Sequence, residues 1–227
     1  MSITKNFVAV DWRTGPDRIY FFFPEKNSYS RFDFEDNKVL SGFPKPVDGK
    51  WEGFDKTAAD LRFGFTTTTT HWNGGVDTLW LFYDEGTTPS VCEFSQQSDK
   101  ALSKTPIAKS KWEKILPYYD KIVGVMWAES TAQRESYWFL LNDGNYLIYE
   151  IYSKTLELLP LKGSPWASLE EYKSQMMTAV TNDYPTFDTY FYVFLNDNRY
   201  LRYEQNAKKV FGPYTISDST WPGLLKD

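Results

Sequence analysis

Short apolar and aromatic runs alternate along the whole chain with stretches rich in Gly, Pro, Asn and Asp. Four runs consist largely of aromatic residues, and each is followed by a shorter apolar partner: 19–23 with 29–32, 79–83 with 91–94, 137–141 with 146–149, and 190–195 with 200–203. Asn142, Asp143 and Gly144 join the third pair, and such residues tolerate the positive φ of tight hairpin loops. The pattern therefore predicts four β-hairpins.

Two further patterns repeat with the hairpins, roughly 55 residues apart. Each hairpin is followed by a proline and then by a tryptophan, and the four tryptophans are Trp51, Trp112, Trp166 and Trp221. Each hairpin is also preceded by a small residue between larger ones, at Ala9, Gly64, Gly124 and Ala179. Gly or Ala at this place indicates close backbone packing, as expected where strands crowd together.

Each repeat then consists of an inner strand, an aromatic strand, its partner and an outer segment that ends at the tryptophan. A repeat of this length with about four strands is typical of a propeller blade. We predict an all-β fold, a four-bladed β-propeller around a central tunnel. It forms one domain over residues 1–227, with blades at about 5–55, 56–116, 117–170 and 171–227.

Composition and charge reduce the number of function classes that the sequence allows. Aromatic residues make up 19% of the chain, which favours sheets, and the net charge is -5 without a basic run, so nucleic acid is not an expected partner. No segment reaches the roughly 20 apolar residues of a membrane span, and the N-terminal residues do not resemble a signal peptide. We expect a soluble protein, either cytoplasmic or exported by a non-classical route.

Catalytic chemistry finds little support in the sequence. Nucleophilic catalysis generally needs a nucleophile and an activating base, and the chain offers one cysteine, Cys92, and one histidine, His71. Cys92 lies in a predicted strand and His71 in a predicted polar loop, and no zinc-ligand spacing or phosphate-binding loop accompanies them. We predict a protein that is not an enzyme.

The order of motifs in each repeat resembles the hemopexin-repeat family. The first repeat carries Tyr20-Phe21-Phe22, then Tyr29, Arg31 and Phe32, then Gly42-Phe43-Pro44, then Trp51, Gly53 and Phe54; the fourth carries Tyr200, Arg202 and Tyr203, then Trp221, Gly223 and Leu224. Many members join the first and last repeats by a disulfide, which Cys92 alone cannot form. The resemblance therefore implies a ring closed by strand pairing and packing, as in plant and bacterial members.

The resemblance also implies an ion site in the tunnel. In the family, backbone carbonyls of the inner strands hold Ca²⁺, Na⁺ or chloride. The matching positions here are Val8, Phe63, Val123 and Thr178, with a second set at Val10, Phe65, Val125 and Val180. The family's Asp is absent from the first set, so we expect a weakly held Ca²⁺ or Na⁺. Haem is disfavoured because the family's haem uses two histidines and only His71 is present.

Aromatic and acidic residues that follow the inner strands suggest a ligand-binding rim. The aromatic residues are Trp12, Trp72, Trp127 and Tyr184, and the acidic residues beside them are Asp11, Glu129 and Asp183. Such a set suits organic cations or sugar rings. The leading prediction is a non-catalytic binding or interaction module, and the alternative is a lectin-like or polyamine-binding protein. The sequence leaves the partner open between a small ligand, another protein and a second copy of the chain.

Overall fold

The computed structural model describes residues 6–68, 74–130, 135–182 and 189–226, without the side chains of residues 129 and 130. The chain is mostly β, which confirms the predicted all-β class. The helices are short 3₁₀ segments at Pro24–Lys26, Asp55–Asp60, Ile107–Lys109, Glu113–Lys121 and Ala167–Gln175. Within these described ranges, no helix is long and apolar enough to cross a membrane.

The strands follow the four predicted repeats, here called units one to four. Unit one has β1 (Val8–Trp12), β2 (Arg18–Phe23), β3 (Ser28–Asp33), β4 (Lys38–Val39) and β5 (Lys45–Pro46). Unit two has β6 (Leu61–Thr67), β7 (Thr78–Glu85), β8 (Thr88–Ser95) and β9 (Lys100–Pro106). Unit three has β10 (Ile122–Ser130), β11 (Glu135–Leu141), β12 (Asn145–Glu150) and β13 (Thr155–Pro160). Unit four has β14 (Met176–Asn182), β15 (Tyr190–Leu195), β16 (Arg199–Glu204) and β17 (Lys209–Thr215).

The four predicted hairpins are confirmed as antiparallel pairs within these units. Unit one forms the sheet β1-β2-β3-β4 with β5 also on β3, and unit two forms β6-β7-β8-β9. Units three and four share one eight-stranded sheet, because β10 pairs with β14 in parallel through Gly124 with Ala179 and Val125 with Val180.

The first strands of the four units, β1, β6, β10 and β14, lie together and are called the inner strands below. β1 contacts both β6 and β14, and β10 contacts the same two strands. The Ala9 amide donates to the Thr178 hydroxyl at 3.1 Å. A Cβ on Gly124 would lie 2.0 Å from the Ala179 carbonyl oxygen, so only glycine permits this approach.

Aromatic side chains fill the space between neighbouring units. Each of the four repeated tryptophans lies at the centre of a different buried cluster and is at most 3% exposed: Trp51, Trp112, Trp166 and Trp221. Burial of rings of this size accounts for much of the apolar area removed from water. The high aromatic content is therefore mainly a packing feature.

Strand register corrects one detail of the predicted repeat. Tyr20, Trp80 and Tyr192 pair with Val10, Phe65 and Val180, and in unit three Trp138 pairs with Met126. Val8 lies two residues before Val10, so its equivalent in unit three is the residue two before Met126, which is Gly124. The sequence placed Val123 and Val125 at these positions because it aligned Gly124 with Ala9. Gly124 instead fits the close approach to β14.

Candidate functional site

The ends of the inner strands gather a buried polar network around Asp11, the penultimate residue of β1. Asp11 is 4% exposed. Its Oδ1 accepts from the Thr66 backbone amide at 2.8 Å, and its Oδ2 accepts from Arg13 Nε at 3.1 Å. Burial raises the pKa of Asp11, and it outweighs Arg13 and the Thr66 hydrogen bonds, which lower it.

Arg13 connects this carboxylate to an aromatic ring on unit three. Its guanidinium carbon lies 4.9 Å from the centroid of the Trp127 ring, within cation–π range. The Arg13 side chain is 13% exposed. Arg13 therefore already supplies a cation to Asp11 and Trp127, two of the described residues that the sequence assigned to an organic cation.

Gln96 holds the loop after β1 against unit two. Its Oε1 accepts from the backbone amides of Arg13 and Thr14, each at 2.9 Å, and its Nε2 donates to Thr66 Oγ1 at 2.7 Å. In unit four, Gln205 follows its hairpin at the same place and donates to the Ala128 carbonyl of unit three. Sequence reasoning missed Gln96 and Arg13, although the repeated glutamine was a signal.

A second buried pair lies near Arg13. The Tyr137 hydroxyl donates to Glu135 Oε1 at 3.1 Å, and both residues are at most 2% exposed. Burial is the largest cause that raises the pKa of Tyr137 well above its ordinary value; Glu135 and Asp11 raise it further, and Arg13 lowers it. The network thus places acidic, basic and phenolic groups of units one and three within electrostatic reach of each other.

The predicted rim residues do not share one environment. Trp12 is 7% exposed and packs against Tyr20, Trp51 and Phe94, with ring centroids 5.2, 5.9 and 6.3 Å away. Trp127 is half-buried and faces Arg13. Trp72, Asp183, Tyr184 and His71 lie outside the described residues, as does the side chain of Glu129.

The opposite ends of the inner strands border a cavity of about 260 Å³, here called the axial cavity. Its lining includes the first residue of every inner strand, Val8, Leu61, Ile122 and Met176. Val8 and Val123, two of the predicted carbonyl positions, also line it. Phe63 and Thr178 lie on the neighbouring strands and are buried.

The side chains that line this cavity include oxygen donors and the thioethers of Met176 and Met177. Asp120 supplies one carboxylate, Asn6 and Asn142 supply amide oxygens, and Arg62 adds a positive charge that is paired with Asp84 at 3.5 Å. Among the described residues, no group of three or more His, Cys, Asp or Glu side chains is arranged to hold a metal. The carboxylate and amide groups of this lining suit a hard cation, because such cations prefer oxygen ligands.

Cys92 lies in β8 and is fully buried. Burial raises the pKa of its thiol to about 12, so the thiol is protonated at neutral pH. The second set of predicted carbonyl positions is buried as well, at Val10, Phe65, Val125 and Val180.

Comparisons with known proteins give no family. No family model matches the chain, and no curated protein matches it. Among solved structures, the chain is similar to the extracellular domain of the hybrid two-component system BT3049 from B. thetaiotaomicron, with a TM-score of 0.36 and 10% identity. The similarity covers 93% of this chain and 25% of that one.

Proposed function

We propose that the chain is a non-catalytic binding module, a four-bladed propeller of hemopexin-like repeats whose axial cavity binds a metal cation. The observation that carries the proposal is that the first residues of all four inner strands line one cavity. A cation bound at a site that four units share would stabilise the packing of those units. A ligand that binds only the folded chain shifts the folding equilibrium toward the folded state.

The contacts between the inner strands support a ring of the four units. β1 of unit one contacts β14 of unit four as well as β6 of unit two, so the first and last units are neighbours. The Ala9–Thr178 hydrogen bond joins the same two units. The ring would then close without a disulfide, which agrees with the single cysteine.

Backbone carbonyls, the Asp120 carboxylate and the amides of Asn6 and Asn142 would hold the cation. A site with one carboxylate binds Ca²⁺ less tightly than a site with several, because Ca²⁺ affinity rises with the charge of the ligands. We therefore propose a weak Ca²⁺ or Na⁺ site. The polyamine alternative receives less support, because Asp11 is already paired with Arg13.

Thermal unfolding in different chlorides tests the proposal. Calcium or sodium chloride should raise the melting temperature above that in choline chloride of equal ionic strength. At about 100 times the dissociation constant a ligand adds about 2.7 kcal/mol, which corresponds to several degrees for a chain of this size.

Two variants locate the effect. Asp120→Asn should reduce the shift, whereas Asp60→Asn should leave it unchanged, because Asp60 is an exposed residue beside Leu61 that does not line the cavity. The proposal fails if neither cation stabilises the protein more than choline does.

A further inference from the structure

The outermost strand of a unit has one unpaired backbone edge unless another segment covers it. In unit one, the Val39 amide of β4 donates to the Pro222 carbonyl of unit four at 2.8 Å. In unit two, the Ala101 amide of β9 donates to the Glu52 carbonyl of unit one, also at 2.8 Å. Another unit therefore covers the outer edges of β4 and β9.

A glycine follows each of the two accepting residues and permits the close approach. A Cβ on Gly223 would lie 3.1 Å from the Val39 Cβ, and a Cβ on Gly53 would lie 3.0 Å from the Ala101 Cβ. Both distances are shorter than an ordinary van der Waals contact, so a larger residue would push the covering segment away from the strand.

The outer edges of β13 and β17 do not have this cover. The two strands form the ends of the eight-stranded sheet. Lys114 and Ser168 of units two and three are the residues at the place of the two glycines, two positions after the repeated tryptophan. Within the described ranges, no backbone hydrogen bond from another unit reaches β13 or β17. The Lys114 side chain donates to the Lys154 carbonyl, which lies just before β13.

Of the outermost strands in units two to four, β13 is the regular one. It pairs with β12 in unbroken register over Thr155–Pro160. β17 contains Pro213, which has no amide donor, and its register with β16 shifts between Tyr200 and Arg202. β9 has a register shift at Leu102. Prolines and bulges keep an edge from pairing with another chain, and β13 has neither before its last residue.

The register also determines which backbone groups of β13 point away from the sheet. The Leu161 amide donates to the Gly144 carbonyl at 2.9 Å. Because hydrogen-bonded pairs alternate with non-bonded pairs along antiparallel strands, every second residue before Leu161 bonds to β12. The residues between them, Leu156, Leu158 and Pro160, direct their backbone groups to the outer edge. Leu158 also exposes 47% of its surface.

We propose that β13 is the interface between two copies of this chain, which pair edge to edge about a twofold axis at Leu158. In this antiparallel arrangement Leu158 lies opposite Leu158 of the other copy, and Leu156 lies opposite Pro160. Each copy donates its Leu158 amide to the Leu158 carbonyl and its Leu156 amide to the Pro160 carbonyl of the other. The interface lies at the outer edge of unit three and does not depend on the axial cavity.

A second copy fits this edge because the strand is complementary to itself. Side chains alternate between the two faces of a strand, so Leu156, Leu158 and Pro160 of both copies form one apolar cluster on one face. On the other face, Glu157 lies opposite Leu159 of the other copy. A shift of one strand by two residues would place Glu157 opposite Glu157, and like charges directly opposite are unfavourable. Charge therefore selects the register that pairs Leu158 with itself.

Sedimentation equilibrium of the full chain over a range of concentrations tests the interface. The natural chain should form a dimer, and Leu158→Lys should raise its dissociation constant about ten-fold or more, because the leucine burial is lost and two lysines meet at the axis. Leu102→Lys is the control: Leu102 is 56% exposed in the irregular strand β9, so this variant should dimerise like the natural chain. Melting temperatures report whether each variant folds.

Two results would overturn the proposal. A natural chain that is monomeric at every concentration would leave this edge to a strand of a different protein. A dimer that Leu158→Lys does not weaken, or that Leu102→Lys weakens equally, would lie elsewhere on the surface.

Cysteine cross-linking tests the register. Directly opposed residues of a hydrogen-bonded pair have Cα atoms about 5.5 Å apart, a distance that a disulfide spans. Under mild oxidation Leu158→Cys should give a covalent dimer. Glu157→Cys should cross-link far less, because it lies opposite Leu159, and the native Cys92 is fully buried. Cross-linking of Glu157→Cys as efficient as that of Leu158→Cys would contradict a twofold axis at Leu158.

Discussion

The guanidinium of Arg13 lies 4.9 Å from the centroid of the Trp127 ring, and it thereby joins unit one to unit three. These units do not share a sheet. The same guanidinium pairs with Asp11, which in turn accepts from Thr66 of unit two. One buried network thus fixes three units at this end of the inner strands.

Arg13→Met should destabilise the protein strongly. Removing one partner of a buried ion pair leaves the other charge uncompensated and costs about 3–5 kcal/mol. Chemical denaturation measures this loss. The double variant Arg13→Met with Asp11→Asn should lose less than Arg13→Met alone, because no buried charge then remains; an equal or larger loss would contradict the account.

The pKa of Asp11 predicts a pH dependence of definite sign. Because its folded pKa lies above 3.8, the folded state binds this proton more tightly than the unfolded state does. The contribution of Asp11 to the free energy of unfolding should therefore fall as the pH rises from 3.8 through the raised folded pKa.

The difference in unfolding free energy between the natural chain and Asp11→Asn isolates this contribution from those of other carboxylates. We expect the difference to decrease with pH over that window and to be flat above it. A difference that increases with pH would mean that Arg13 outweighs burial.

Trp12→Ala and Trp127→Ala should have unequal effects. Trp12 is 7% exposed and packs among three rings, so its truncation should cost about 3–5 kcal/mol. Trp127 is half-buried against the Trp112 cluster, so its truncation should cost less: it removes part of that packing and the cation–π contact with Arg13, which is worth about 0.5–2 kcal/mol. Comparable losses in chemical denaturation would contradict the different placement of the two indoles.

Gly124→Ala tests the close approach of β10 and β14. The added Cβ would meet the Ala179 carbonyl, which is backbone and cannot turn away, so we expect a loss above the usual range of about 1–3 kcal/mol for overpacking. Gly163→Ala is the control: it has a φ of +82° and no atom within 4 Å, so it adds only backbone strain of about 1–3 kcal/mol. Equal losses in the two variants would be evidence against tight pairing.

Local features of the sequence predicted the hairpins and the repeat that ends at each of the four tryptophans. A hairpin such as that around Asn142, Asp143 and Gly144 depends on turn residues and on the apolar runs beside them, which are neighbours in the chain. The register of unit three could not be read in this way. Gly124 is required by Ala179, a residue of the next unit, and small size alone made it look equivalent to Ala9.

The rim was predicted from residue types, and its described part is organised differently. From their residue types, Asp11 and Trp127 are predicted to bind the cation of a ligand. The cation is Arg13, only two residues from Asp11. Its pairing depends on how β1 and β10 meet, which no local pattern encodes.

A crystal structure of the protein grown in calcium chloride, with the calcium located by anomalous scattering, tests the proposed function most directly. The account predicts β1 between β6 and β14, and an anomalous peak in the axial cavity bordered by Val8 and Val123. The account would be contradicted by a structure in which β1 and β14 lie apart. It would also be contradicted if the axial cavity held neither a calcium peak at saturating calcium nor a sodium ion.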